Sequence, residues 1–215
     1  MKKETFSQAI LGMMHYYGVI SISDLLVVCH RCGLCQLHEY KKLQYSIQRD
    51  LVSVQEVFLH KKLVCYKGVK NPFLIRDMQK NTIAGEYKFF SLEEYIKAGT
   101  AEASWDTYTQ EIKQFLQENS EKKEAQIDYI IEELWIGLHH ATDMVLPTAQ
   151  CAKELGFPVG PEAPLYKELL EKVRCLSDTM PRWIYKGYSY YELCDMEEKK
   201  GKKRYVDSIN GRGLF

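Results

Sequence analysis

One segment of the sequence combines the residue types and the spacing of a metal site. It reads Cys29-His30-Arg31-Cys32-Gly33-Leu34-Cys35-Gln36-Leu37-His38. Thiolates three residues apart can reach one tetrahedral zinc ion, and iron–sulfur ligation uses a similar spacing. The sequence has no second, distant Cys-x-x-Cys pair, and Cys29 follows Leu25 by one helical turn. We therefore predict buried thiols around a turn between two helices and no bound metal, and we keep one alternative, a zinc site at Cys29, Cys32, Cys35 and His38.

Acid–base chemistry is the second kind that the residue types suggest. Five polar residues lie close together in the sequence: Glu132, Glu133, His139, His140 and Asp143. His139 and Asp143 are four residues apart and would share a helix face. The motifs HExxH, GxSxG, GxxxxGK[ST] and GxGxxG are absent, and no histidine has an identifiable nucleophile as a partner. We predict a helix end with polar groups at its rim, no catalytic residue, no cofactor and a protein that is not an enzyme.

The formal net charge of zero conceals a segregated charge. Residues 1–80 contain 12 Lys and Arg against 6 Asp and Glu, residues 81–198 contain 11 against 22, and residues 199–215 contain 6 against 1. The chain therefore has a basic head, an acidic body and a basic tail. Segregation of this kind points to partners, or to contacts between the segments, rather than to a particular fold.

Composition indicates a packed cytoplasmic protein. Hydrophobic residues make up 46% and charged residues 27% of the chain, which is ordinary for globular proteins. No secretory signal and no apolar run long enough for a membrane span is evident, so we expect no membrane association. Seven cysteines, an odd number, favour reduced thiols over a disulfide framework.

The head shows the order of elements found in a winged helix-turn-helix. Hydrophobic spacing predicts a helix from Glu4 to Tyr17, which Gly18 is placed to end. Ser21 or Ser23 can cap a second helix that ends near Cys32. A third helix follows through Leu37, Tyr40, Leu43 or Gln44, and Ile47. Short β-prone runs at 54–59 and 63–67 predict a hairpin. Over residues 4 to 68 the sequence thus resembles a winged helix-turn-helix, with Gly18-Val19-Ile20-Ser21-Ile22-Ser23-Asp24-Leu25 as its most telling stretch. The resemblance implies a fold that binds either DNA or another protein.

The outer face of the third predicted helix forms the main candidate binding surface. If Leu37, Tyr40, Leu43 and Ile47 face inward, polar and basic residues face outward, and the hairpin tip adds two lysines. The predicted nucleic-acid or partner-binding residues are His38, Lys41, Lys42, Tyr45, Gln48, Arg49, Lys61 and Lys62. A helix of this kind fits the major groove of DNA, and basic residues on the hairpin reach phosphates. The alternative is a solvated helix face rich in lysine.

The remainder of the chain is predicted to be helical. We expect a winged-helix-like basic domain at 1–78, an irregular linker at 79–90, an acidic helical domain at 91–198 and a basic tail at 199–215. Residues 69–90 are predicted to be irregular, because Asn71-Pro72 and Ala84-Gly85 are turn signals. Ser91 with Glu94 has the form of a capping box. The predicted fold class is therefore mostly α, with a winged-helix-like domain of three helices and a β-hairpin followed by an all-α domain.

A segment near the C-terminus interleaves aromatic residues with cations. It runs from Pro181 to Leu193, and its predicted partner surface consists of Arg182, Trp183, Tyr185, Lys186 and Tyr188. The alternative is that these rings hold a helix end onto the core. The segment resembles uncharacterised bacterial proteins, some of which end in the zinc-binding SEC-C motif, at Leu169, Leu176, Pro181, Arg182, Trp183, Lys186, Gly187, Tyr188, Glu192 and Leu193. No cysteine follows Cys194, so the SEC-C motif itself is absent, and the resemblance implies a bacterial or phage origin and an accessory role.

These observations predict a binding protein rather than a catalyst. The first hypothesis is a regulator or adaptor that binds nucleic acid or a protein through its winged-helix-like domain. The alternative is an inhibitor or scaffold of the phage or mobile-element type. In that case the acidic helical surface would occupy a basic groove on an enzyme that acts on nucleic acid.

Overall fold

The computed structural model describes residues 3–51, 56–103, 105–141 and 143–210. Within these ranges the protein is mostly helical, as predicted, with one small antiparallel sheet. The elements are α1 Lys3–Tyr17, β1 Val19–Ser21, α2 Ile22–Arg31, α3 Tyr40–Ser46, β2 Val57–His60, β3 Leu63–Tyr66, α4 Pro72–Asn81, α5 Leu92–Gly99, α6 Asp106–Asn119, α7 Glu124–His140, α8 Val145–Glu154, α9 Pro164–Thr179 and α10 Tyr190–Asn210.

The first two helices begin and end where the sequence signals predict. Gly18 ends α1 in the left-handed region, with φ of 64°, and its amide donates to Met14 O at 2.8 Å. Ser21 is the N-cap of α2, and its hydroxyl accepts a bond from the Asp24 amide at 3.0 Å. Between these two residues the chain is extended as β1, a strand that the sequence analysis did not anticipate.

The sheet has the order β1-β3-β2, and both pairs of strands are antiparallel. Ile20 lies opposite Val64, and Phe58 lies opposite Cys65. The predicted hairpin at 54–59 and 63–67 is present as β2 and β3, while residues 54 and 55 lie outside the described residues. β1 packs on the far side of β3, so the short hairpin gains a third strand that ties it to the start of α2.

The third predicted helix is divided into three parts. A 3-10 turn at Leu37–Glu39 precedes α3, and a π-helical turn at Ile47–Leu51 follows it. Leu43 and Ile47 are buried as predicted, but Leu37 is 51% exposed and does not belong to the inner face. The helical phase that the sequence suggested fails at Leu37 because the tighter 3-10 turn rotates this residue away from the core.

The prediction of irregular structure from 69 to 90 is wrong over α4. Asn71 is the N-cap of this helix, its side chain accepts a bond from the Leu74 amide at 3.1 Å, and Pro72 occupies the first turn. The pair Asn-Pro was interpreted as a turn, but the same two residues also start helices, because proline has no amide to leave unpaired at that position. Buried residues of the head and of the body belong to one contiguous hydrophobic cluster. This cluster also includes Tyr87 of the predicted linker.

Helices α1 and α5 cross at two glycines with no side-chain layer between them. A Cβ atom on Gly12 would lie 1.8 Å from Tyr95 O, and a Cβ atom on Gly99 would lie 2.0 Å from Gln8 O. Only glycine permits such a close approach of two backbones. Near the crossing, the Tyr17 and Tyr95 hydroxyls are hydrogen-bonded to each other in the core. The first helix of the head is thus fixed directly to the first helix of the body.

The body is built from α5 to α9. The Ser91–Glu94 capping box predicted for α5 is confirmed, with both reciprocal bonds present. α6 packs against α7 and α9, and α8 packs against α7 and α9. Pro147 lies in the first turn of α8, where proline is tolerated, so this helix is not interrupted there.

The predicted tail at 199–215 continues α10 as far as Asn210, and residues 211–215 lie outside the described residues. Among the helices that the structure describes, none combines the length and the apolar character that a membrane span requires.

The glycine crossing gives a direct test of the fold. Replacing Gly12 with alanine should lower the free energy of unfolding by about 3 kcal/mol or more, because the new methyl group overlaps the Tyr95 carbonyl and forces the helices apart. Gly160→Ala is the matched control, since a Cβ atom there meets no heavy atom within 4 Å and φ lies outside the left-handed region. Urea denaturation followed by circular dichroism measures both variants, and equal stability of the two would contradict the crossing.

Candidate functional site

The outward face of α3 and its flanking turns contains all six residues that the sequence placed there. His38, Lys41, Lys42, Tyr45, Gln48 and Arg49 are exposed. Leu43 and Ile47 on the opposite side are buried and fix the rotation of the helix. Tyr45 is 58% exposed, and the Arg49 guanidinium carbon lies 5.3 Å from the centre of its ring. The face therefore offers cations, an aromatic ring and an amide to a partner.

The tip of the hairpin adds Lys61 and Lys62, both exposed. Lys61 adopts a left-handed conformation, with φ of 58°, as tight hairpin turns require. The Ile22 amide donates to Lys62 O at 3.0 Å, which fastens the tip to the first turn of α2. The Lys61 ammonium lies 4.9 Å from the centre of the Phe73 ring at the start of α4. The tip is thus held in place by two helices.

Ion pairs divide the cations of the head into two groups. Lys67 pairs with Glu56 at 2.9 Å and with Glu132 at 3.3 Å, and Lys70 pairs with Glu133 at 3.6 Å. These contacts bind the hairpin to α7 of the acidic body. Hydrogen bonding to Glu56 raises the pKa of Lys67, so this lysine stays charged.

The second group of cations remains available on the surface. Lys42 pairs with its neighbour Glu39 at 2.7 Å, an exposed contact that solvent weakens. No carboxylate of the described residues lies within 4.0 Å of the ammonium groups of Lys41, Lys61 or Lys62. Within the described part of the head, the lysines without a carboxylate partner are therefore Lys41 on α3 and Lys61 and Lys62 at the hairpin tip.

The predicted partner surface at the aromatic segment is wrong. Arg182 is 2% exposed, Trp183 is 0% exposed and Lys186 is 8% exposed, while Tyr185 and Tyr188 are only partly exposed. Arg182 donates to Ala141 O at 2.8 Å and to the Ser177 hydroxyl at 2.6 Å, so it closes the ends of α7 and α9. Arg182 and Trp183 are used for helix capping and packing, and the surface of a macromolecular partner cannot reach them.

Trp183 lies where the head meets the body. Its ring contacts Tyr66 at 5.6 Å and Trp135 at 5.7 Å between centroids, and its indole nitrogen donates to His15 O at 2.9 Å. The sequence suggested this alternative, that aromatic residues hold a helix end onto the core. The sequence feature behind both interpretations was the high density of aromatic residues, and that density does not distinguish a buried cluster from an exposed one.

The cysteine segment brings two of its thiols together but does not group a set of ligands. Cys29 is buried and its thiol donates to Met13 Sδ at 3.9 Å, whereas the Cys32 thiol donates to Cys29 O at 3.4 Å. A hydrogen bond between the Cys29 and Cys35 side chains raises the pKa of Cys29, which burial raises further, and lowers the pKa of Cys35. Across the described ranges, no three His, Cys, Asp or Glu side chains are grouped as a metal would require, and the exposed His38 stands apart. This geometry does not support the zinc alternative.

The polar residues at the end of α7 are also dispersed. His139 is fully buried and stacks on Trp183, with 4.5 Å between centroids and 15° between planes, and neither of its ring nitrogens has a hydrogen-bond partner. Asp143 is exposed and accepts a bond from the Val145 amide at 2.8 Å. His140 Nδ1 bonds to Ile136 O within its own helix. Glu132 and Glu133 pair with Lys67 and Lys70, which follow β3, so no acid–base pair is assembled here.

A buried polar centre that the sequence did not predict lies around Gln79 on α4. The side-chain nitrogen of Gln79 donates to Tyr17 O, Val19 O and Trp183 O at 2.9–3.0 Å. Its oxygen accepts a bond from the Tyr87 hydroxyl at 2.9 Å. One glutamine thus joins α1, β1 and the segment after α9. No sequence motif signals this role, but recognising Asn71-Pro72 as a helix start would have placed Gln79 on the inner face of α4.

Comparison with known proteins found no match to this chain among protein-family models, curated proteins or solved structures.

The buried histidine predicts how stability depends on pH. Burial, followed by the charge of Arg182, lowers the pKa of His139 well below its ordinary value of 6.5. The unfolded chain therefore binds a proton below pH 6.5 that the folded chain does not bind. The free energy of unfolding should fall as the pH drops below 6.5, by up to about 1.4 kcal/mol per pH unit for this residue.

Replacing His139 with phenylalanine should reduce this dependence, because the ring is kept and the titrating group is lost. Part of the dependence should remain, since burial also lowers the pKa of His15 and His140. His38→Phe is the control at an exposed position. Urea denaturation at several pH values between 5 and 7.5 measures the slope, and identical slopes for His139→Phe and the parent would contradict the assignment.

Proposed function

We propose that this chain binds duplex DNA and that residues 3 to 78 form a winged helix-turn-helix. The observation that carries the proposal is the exposed face of α3 together with the unpaired lysines of the hairpin tip. The order α1-β1-α2-α3-β2-β3, with the sheet order β1-β3-β2, supports it. In this arrangement α3 is the helix that enters the major groove, and the β2–β3 hairpin is the wing.

The side chains on α3 have the chemistry for this role. A helix is about 10–12 Å wide with its side chains and the major groove is about 12 Å wide, so α3 can lie in the groove. Gln48 carries the amide that pairs with adenine, and Arg49 carries the guanidinium that pairs with guanine. Lys41 and Lys42, on the first turn of the helix, are suited to phosphates.

The wing adds a second set of phosphate contacts. Lys61 and Lys62 are exposed, and the bond from Ile22 to the tip keeps them beside the first turn of α2. The hydroxyl of Ser23 in that turn is also exposed. Lysines and the first turn of a helix are common contacts to the DNA backbone, where they position a protein without reading sequence.

The two other functions suggested by the sequence receive less support. An inhibitor that acts through its acidic surface would use carboxylates other than Glu132 and Glu133, because these two pair with lysines of the head. A protein partner on the face of α3 would be an acidic one, and the experiment below distinguishes it from DNA.

Binding of the full chain to mixed-sequence duplex DNA, measured by fluorescence anisotropy, tests the proposal. Five cations lie on the proposed surface, so the plot of log affinity against log salt should have a slope of roughly −4. Lys41→Glu/Lys42→Glu should weaken binding by at least about tenfold and reduce the magnitude of the slope by about two.

The matched control is Lys153→Glu/Lys167→Glu, which reverses two exposed charges on α8 and α9. This variant should bind like the parent. If the two double variants bind equally well, α3 is not the DNA surface. If the parent shows no salt-dependent binding at all, the proposed function fails.

A further inference from the structure

A cavity of about 300 Å³ lies beside the head, between α2, α4 and the segment that precedes α5. It is distinct from the outward face of α3. Its charged lining residues are Asp24, Arg31, Arg76, Lys80, Glu86 and Lys186. The volume is at the lower end of the range for small-molecule sites, and such sites combine an apolar wall with a few polar groups that converge.

The strongest indication of a ligand is Lys186. Only 8% of the surface of this lysine is exposed to solvent. Its ammonium donates to Ala84 O and Gly85 O, both at 2.9 Å, but no carboxylate of the described residues lies within 4.0 Å of it. Burial, followed by the charge of Arg76, lowers the pKa of Lys186. A buried ammonium without a counter-ion is costly, and an anion in the cavity would supply one.

The second deep cation is Arg76, which is held in a fixed orientation. Its guanidinium pairs with Asp24 at 2.6 Å and donates to Gln79 Oε1 at 3.3 Å. Asp24 is therefore paired with Arg76, lies more than 4.0 Å from the Lys186 ammonium and acts on its charge only at longer range. Both cations line the cavity and lie near the Tyr87 ring, at 5.8 and 5.9 Å from its centre, and the charge of Arg76 acts on Lys186.

Two more cations stand at the rim, where their own ion pairs are exposed. Arg31 lies 3.9 Å above the Phe89 ring and 3.6 Å from Glu86, whose side chain is 76% exposed. Lys80 pairs with its neighbour Asp77 at 3.2 Å, and both side chains are more than 60% exposed. Exposed pairs of this kind contribute little energy, so Arg31 and Lys80 can turn to a ligand at low cost.

The charges and the walls together define the ligand class. Four cations and two carboxylates line the cavity, which leaves a net charge of +2. A phosphate monoester carries between −1.5 and −2 at neutral pH, which matches this charge, and its oxygens accept bonds from guanidinium and ammonium groups. Val27 and Phe89 supply an apolar wall for the organic group. We propose that this cavity binds a small molecule that carries a phosphate monoester.

Isothermal titration calorimetry on the full chain tests the proposal with four probes: inorganic phosphate, adenosine 5′-monophosphate, glucose 6-phosphate and unphosphorylated adenosine. We expect saturable binding of the phosphate-bearing probes and none of adenosine. Failure of all three phosphate probes to bind at millimolar concentration would overturn the proposal. Equal binding of adenosine and its monophosphate would also overturn it, because the cations would then play no part.

Variants locate the binding in the cavity. Arg31→Gln/Lys80→Gln removes the two rim charges and should weaken phosphate-ester binding by roughly tenfold or more, as the loss of charge-assisted hydrogen bonds predicts. Lys97→Gln/Lys199→Gln is the matched control, since both lysines are exposed and lie in ion pairs within one helix. The control should bind like the parent. Equal loss in both variants would point to a general charge effect and overturn the site.

Lys186→Met tests the deep cation separately. It should abolish binding while circular dichroism remains that of the parent, and unchanged binding in a folded Lys186→Met protein would overturn the role of Lys186. If this variant does not fold, the rim variant decides the outcome. Malate serves as a last probe, because tighter binding of a dicarboxylate than of any phosphate ester would overturn the ligand class. The DNA surface on α3 shares none of these residues, so its test is independent of this one.

Discussion

The indole of Trp183 is the contact on which the arrangement of head and body depends. Its ring lies against Gly18 so closely that a Cβ atom there would be 2.4 Å away, and it stacks on His139 of α7. Its backbone oxygen accepts a bond from Gln79 of α4. Trp183 therefore packs against the end of α1, where the sheet starts, and contacts both α4 and α7. The neighbouring cations Arg182 and Lys186 are also buried, and each donates to backbone carbonyl groups, as buried polar groups require.

The separation of charge along the sequence has two physical consequences in the fold. Part of the basic head is neutralised within the molecule, where Lys67 and Lys70 pair with carboxylates of α7. Other head cations pair with nearby carboxylates, as Lys42 does with Glu39. Lys41 on α3 and Lys61 and Lys62 at the hairpin tip have no carboxylate of the described residues within 4.0 Å. Within the described residues, these three lysines are the part of the basic head that internal ion pairs leave unneutralised.

Local sequence patterns predicted where the helices lie but not which groups their side chains contact. Gly18, Ser21 and Ser91 act through their own neighbours in sequence, so their roles as stops and caps were readable. The burial of Arg182 could not be predicted, because its partners are carbonyl groups at the ends of α7 and α9. Every residue has a carbonyl group, so the sequence does not show which ones a side chain will meet. Leu37 fails for a related reason, since helical spacing assumes 3.6 residues per turn and a 3-10 turn breaks that count. The exposed face of α3 was predictable because two buried residues one turn apart were sufficient to set its rotation.

The glycine crossing of α1 and α5 has a mechanical consequence. Side chains between two helices act as a soft layer that can change rotamer and absorb a shift, but here the backbones touch and no such layer exists. A tilt of α5 would therefore displace α1 directly, since no intervening side chain can rearrange to absorb it. β1 follows α1 immediately after Gly18 and pairs with β3, so the backbone contact between α1 and α5 is one of the constraints on where the hairpin lies.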